Sequence, residues 1–142
     1  MSGTLVIWSL VAHNAPVLAI VPIAKIKEGT LPLNTVLPGI EITRVDAIPR
    51  LTVAMTEPNR MHSERVQVSP ILKTTDGTPA GLGKKGVDAL IALIRTACPN
   101  QHGTIAGVNV VSILPDTVGP DLSDAATFIC SGSIDFIVRW KS

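Results

Sequence analysis

Tyrosine is absent from the chain, and tryptophan and phenylalanine occur twice each in 142 residues. Proteins that hold single-stranded nucleic acid stack bases on aromatic side chains, so that class of function has no platform here. Charge is scarce too: 12 basic residues stand against 11 acidic ones, a formal net charge of +1. So balanced a surface has no field to draw in a polyanion. Cys98 and Cys130 are the only cysteines, far apart and in no Cys-x-x-Cys spacing, which excludes a disulfide framework and fits a reduced, intracellular setting.

The motifs of common catalysts are missing as well. "GTPAGLGKKG" at 77–86 places glycines and lysines ahead of an apolar run, as a phosphate-binding loop would. A P-loop needs Gly-x-x-x-x-Gly-Lys followed by Ser or Thr, because the hydroxyl ligates magnesium. Here Gly77 to Gly83 is one residue too long and Lys85 stands where the hydroxyl belongs. The stretch reads as a flexible approach to a helix with solvated lysines. His13, His62 and His102 fall in unrelated segments without ligand spacing, and read as solvated loop histidines. Asp116, Asp121 and Asp124 in "LPDTVGPDLSD" lack the alternate-position ligands and closing Glu of an EF-hand, so a surface loop is expected. "CSGS" at 130–133 is no nucleophile elbow, and Cys130 has the parity of a buried strand face. No catalytic residue, cofactor or metal site is expected.

From Thr4 to Ala24 no residue carries a full charge. A signal peptide would need basic residues before this run, and a membrane span would have to hold His13, Asn14, Pro16 and Pro22. A buried helix is expected instead, capped by Ser2 or Thr4 and ending near "HNAP".

What is present is aliphatic: 46% of the residues are hydrophobic, enough for one domain over residues 1–142 with a core of Val, Ile, Leu and Ala. After the first helix, a short helical turn and proline-rich extended chain lead to "GIEITRV", which alternates as a strand does. No sustained period runs from Asp46 to Glu64, so a long loop or protruding hairpin is expected there. In "RVQVSPILK", Val66, Val68 and Leu72 share one face, with Pro70 demanding a sheet edge or a bulge. "TTDGTPAGLG" reads as loop. Val87, Leu90, Ile91, Ile94 and Ala97 then recur at helical spacing. "TIAGVNVVSIL" and "ATFICSGSIDFIVRW" each read as one strand; in the second, Phe128, Cys130, Ile134, Phe136, Val138 and Trp140 share a face and Gly132 allows a bend. The predicted fold is α+β, a mainly antiparallel β-sheet with two principal α-helices packed on one face.

Taken in order, "KIKEGTLPLNTVLPGIEITRV", "ERVQVSPILKT", "GVDALIALIRTAC" and "SGSIDFIVRW" resemble the tail completion proteins of long-tailed bacteriophages, the family that includes the tail terminators. The resemblance runs from about Ile20 to Trp140 and rests on element order and phrasing. Two features depart from it: Pro70, in a strand the family keeps regular, and the proline- and methionine-containing segment from Asp46 to Glu64.

The resemblance implies a structural virion protein, assembled in the host cytoplasm and located at the head-proximal end of the tail. It would form a homo-oligomeric ring, usually of six copies, that caps the tail tube, ends tube polymerisation and presents the surface that meets the head completion or connector protein. The expected contacts to neighbouring copies or to the tail tube protein are Arg50, Met55, Arg60, Met61 and His62, since methionine adapts to irregular partners and arginine is enriched at interfaces. The alternative is that Met55 and Met61 only pin the segment to its own domain. Arg44, Arg65 and Arg139 are expected on the sheet, either lining a lumen for non-specific DNA passage or as a solvated strand face. Two other functions fit the residues: a head-completion or connector adaptor on the portal side, and a small cytoplasmic enzyme or ligand-binding domain, which a deep pocket with converging polar groups would mark. No membrane partner is expected.

Overall fold

A computed structural model describes residues 3–31, 38–50, 61–73, 77–78, 81–119, 122–124 and 129–141. The chain opens with α1 (Gly3–Ala12), which buries Val6, Ile7 and Val11 on one side. Its end coincides with the start of α2 (Ala15–Leu18): the Asn14 side chain accepts a hydrogen bond from the Val17 N–H, and Pro16 occupies the first turn, where no donor is needed. Asn14 and Pro16 together stop one helix and begin another.

A 3-10 turn at Ile23–Lys25 leads into β1 (Ile26–Glu28), which pairs in parallel with β2 (Gly39–Arg50). β2 turns back antiparallel to β3 (Met61–Lys73), and the pairing extends to Arg50 opposite Met61. Residues 46–50 and 61–64 are therefore arms of a hairpin, and residues 51–60 lie outside the described residues. Within the segment expected as loop, β4 (Gly77–Thr78) and β5 (Gly81–Leu82) form a small two-stranded ladder that leads into α3 (Gly83–Ala97). Val87, Leu90, Ile91, Ile94 and Ala97 are all buried, as their helical spacing requires.

The stretch read as one strand, 104–114, is instead a hairpin of β6 (Gly103–Ile105) and β7 (Val108–Val118). Its turn residues, Ala106 at φ 52° and Gly107 at φ 79°, both adopt left-handed backbone, the requirement of a two-residue type I′ turn. Alanine rarely serves there, which hides the turn. β7 runs on to Val118, so all of "LPDTV" is strand rather than surface loop, and β8 (Leu122–Asp124) follows; Asp121 lies outside the described residues.

β9 (Ile129–Ser131) and β10 (Ile134–Lys141) both pair antiparallel with β3, and the register passes from one to the other without a slip. They behave as a single strand interrupted at Gly132 and Ser133, the bend expected there. Pro70 lies opposite the interruption: its carbonyl accepts from the Gly132 N–H at 3.4 Å, so its missing N–H faces the same gap. Of the two alternatives expected for Pro70, an edge strand or a bulge, the edge is excluded, because β3 lies between β2 and β10 in the order β1-β2-β3-β10-β7-β6. One interrupted ladder position accommodates the proline.

The architecture is α+β. α1 and α3 pack with the inner sheet face in one core that contains Ile40, Ile42, Val66, Val68, Ile113, Ile134, Phe136 and Val138. Phe136 is fully buried at its centre, and burial of these side chains at roughly 1.5–3 kcal/mol each is the main stabilising term. Cys130 is buried as its parity implies, and Phe128 lies outside the described residues.

Candidate interaction surfaces

Where α1 meets the sheet, the first helical turn rests on β3 and β10. A Cβ on Gly3 would stand 3.2 Å from Val138 Cβ and 3.3 Å from Glu64 Cβ, so a larger residue would have to push these neighbours back by a few tenths of an ångström. The first amides of a helix lack intrahelical partners. Here the Thr4 N–H donates to Glu64 Oε1 at 3.2 Å. Capping by Thr4 is thereby revised, since Thr4 lies within the helix and a distant strand provides an acceptor for its N–H; Ser2, the other expected cap, lies outside the described residues. Glu64 is only 2% exposed. Burial pushes its carboxyl above the usual range, opposed by its hydrogen bonds from the backbone of Thr4 and Gly3 and by the charge of Arg44.

Beside Glu64, His62 stacks on Trp140 with ring centroids 5.2 Å apart and planes 15° from parallel. His62 is therefore a half-buried strand residue and not a solvated loop histidine; His102 is exposed, and exposed His13 has Nδ1 2.7 Å from the Ser9 carbonyl oxygen. Of the expected contact residues, Met61 is half-buried at the start of β3 and Arg50 ends β2 opposite it. The structure brings Arg50, Met61 and His62 to one end of the sheet. Met55 and Arg60 lie outside the described residues.

The helix-free face carries the polar residues of β3, β10 and β7. Two residues of β7, Asp116 and Thr117, oppose the single Asp135 of β10, between the pairs Ile134↔Val118 and Phe136↔Pro115. Such a bulge re-aims a side chain, and Arg65 of β3 forms ion pairs with both Asp116 and, at 3.4 Å, Asp135. Arg65, expected either in a lumen or on a solvated face, is partly exposed on this face and there ties three strands together. Its guanidinium, hydrogen-bonded to Asp116, holds that carboxyl below the usual range. Two register positions from Arg65, Arg139 lies opposite Ser63 and Ser112. The Arg139 Nε and Ser112 Oγ atoms are buried without a hydrogen-bond partner among the described residues. Arg44 is exposed on β2.

Among the described residues no group of three or more His, Cys, Asp or Glu side chains is arranged to hold a metal ion, and no helix is long and apolar enough to cross a membrane. Asp116 is engaged with Arg65, and Lys85 at the start of α3 is exposed. Sequence reasoning missed Glu64 and the Arg65 cluster, since both depend on pairings between residues at least 51 positions apart.

No family model and no curated protein sequence matches the chain. Among solved structures, the chain is similar to one described as "Virion of native gene transfer agent (GTA) particle", with 10% sequence identity and a TM-score of 0.74. The likeness covers 99% of this chain and 96% of that one. At that identity what the two chains share is the fold.

Proposed function

We propose that this chain is a structural virion protein that forms a ring on the end of a tail tube, stops further addition of tube subunits and offers the surface on which the head is joined. The observation that carries the reading is the fold shared end to end with a chain of a gene transfer agent virion. The likeness of "ERVQVSPILKT" and "SGSIDFIVRW" to tail terminators supports the finer assignment. A terminator works by surfaces alone: one face matches the last ring of the tube and the other refuses the next subunit, so differential complementarity suffices and no bond chemistry is required. The polar residues that the structure brings together agree with this. Glu64 caps a helix and Arg65 ties strands, both architectural tasks.

Electron microscopy of particles made in an infection lacking this protein tests the assignment. Overlong or ragged tails beside full, tailless heads are expected. Tails of normal length beside heads that leak DNA would transfer the protein to the head side, and normal infectious particles would end the assembly reading.

A further inference from the structure

Neighbouring strands of the sheet are interrupted along one line. β3 has Pro70 there, which brings no N–H. Opposite it β9 and β10 are separated by Gly132 and Ser133, and beyond these β7 ends at Val118 and β8 begins at Leu122. The pairings Ile134↔Val118 and Leu122↔Ser131 run β7 beside β10 and then β8 beside β9, so β7 and β8 also behave as one strand with a break. On the other side of Pro70, β2 begins at Gly39, opposite Ile71. Every strand that meets this line stops, starts or breaks at it.

Little backbone bonding crosses the line. The Gly132 N–H donates to the Pro70 carbonyl at 3.4 Å, beyond the usual range for such a bond, and the Gly119 N–H donates to the Ser133 carbonyl at 2.9 Å. A regular hydrogen-bonded pair in place of Pro70 and Gly132 would exchange two bonds. The proline leaves one. Gly119 has no side chain, and a Cβ there would run into the Ser133 hydroxyl, so small residues fill the break.

The two sides of the line are held unequally. On one side Val66, Val68, Ile134, Phe136 and Val138 are fully buried, and on the opposite face Arg65 clamps Asp116 and Asp135 close beside the break. On the other side stand three short segments, 71–73, 122–124 and 129–131, which pair with one another and, through Ile71, with Gly39. Among the described residues of these segments, Leu72 and Cys130 are the ones that enter the core.

We propose that this line is a hinge, and that segments 71–73, 122–124 and 129–131 form an apron that leaves the main sheet as one unit while the rows of β3, β10 and β7 clamped by Arg65 stay closed. The open form is rare, because Leu72 and Cys130 must come out of the core, but it is reached without unfolding the main sheet. Ladders this short do not persist without core support, so the apron's own bonds are lost once it swings away. Because β3 leads through residues 74–82 into α3, and α3 packs on β9, the motion loosens the start of α3 and spares the seat of α1. The device gives a rigid sheet one yielding end. It is independent of the ring function proposed above.

Amide hydrogen exchange of the full-length protein, followed by NMR at increasing sub-denaturing concentrations of guanidinium chloride, tests the hinge. Protected amides of 71–73, 122–124 and 129–131 should exchange together, at least about tenfold faster than those of 64–68 and 134–140 and with a weaker dependence on denaturant, since a local opening exposes little surface. Pro70→Val restores a donor opposite Gly132, and the gap between the two groups should narrow. One common rate for both groups would overturn the proposal. Rates that climb gradually from residue 66 to residue 73 with no step at Pro70, the pattern of simple end fraying, would overturn it as well, and so would a folded Pro70→Val protein that keeps the whole wild-type gap. If that variant does not fold, the presence or absence of the step in the wild-type chain decides alone.

Discussion

Glu64 Oε1 accepts the backbone N–H of Thr4 across 60 positions of sequence, so the first turn of α1 is terminated by the middle strand of the sheet. Glu64→Ala removes that acceptor from a buried place and should cost about 1–2 kcal/mol. Glu64→Gln keeps an acceptor and should cost less. Urea denaturation followed by circular dichroism at one pH ranks the three chains; equal midpoints would remove the capping role.

Two carboxyl groups should shape the pH dependence in opposite directions. Glu64 has a raised folded value. Its contribution is present below the ordinary glutamate value of about 4.3 and is lost as pH rises through the folded value. The margin of wild type over Glu64→Gln should therefore shrink from acid toward neutral pH. Asp116 has a lowered folded value, so its contribution is present above the ordinary aspartate value of about 3.9 and lost as pH falls through the folded one. Asp116→Asn should flatten the acid limb of the stability profile. Denaturant titrations across that range read both slopes.

Neither thiol should react in the folded protein. Cys98 is buried and its thiol is pushed up to about 12 by desolvation, leaving almost no thiolate; Cys130 is 6% exposed. A chromogenic disulfide reagent should label neither in native buffer and both in denaturant. Rapid native labelling would mean that the core opens locally.

The β6–β7 turn holds an alanine where left-handed backbone is required. Asparagine tolerates that conformation and favours the Asn-Gly turn, so Ala106→Asn should stabilise the protein by about 0.5–1 kcal/mol. A higher thermal midpoint checks it. No gain would mean that the turn is not limiting.

The structure shows which features periodicity alone could reveal. Val66, Val68 and Leu72 alternate, Leu90, Ile91 and Ile94 recur at helical spacing, and Phe136, Val138 and Trp140 share a face; in each case the burial follows the pattern. The sheet with helices on one face was legible for that reason. The β6–β7 turn was not, because Ala-Gly carries a weak turn signal. Pro70 misled because a proline's tolerance depends on what the neighbouring strand does at that position, and the break at Gly132 lies far along the chain. The surface residues were harder still. His62 reads as a solvated histidine until β10 places Trp140 beside it. Arg65 reads as a solvated cation until a bulge turns Asp116 toward it.

The place of β10 in the sheet also bears on how the molecule is made. It runs between β3 and β7 yet is synthesised after both. Until residues 134–141 leave the ribosome, β3 and β7 have no common neighbour, and the seat of α1 lacks Val138. The uncharged, strongly apolar first helix can meet β1, β2 and β3 earlier, but its seat is complete only when β10 joins them. Slow, late closure of distant pairings is where nascent chains aggregate. Truncation within the final strand should thus yield insoluble protein and not a smaller folded one.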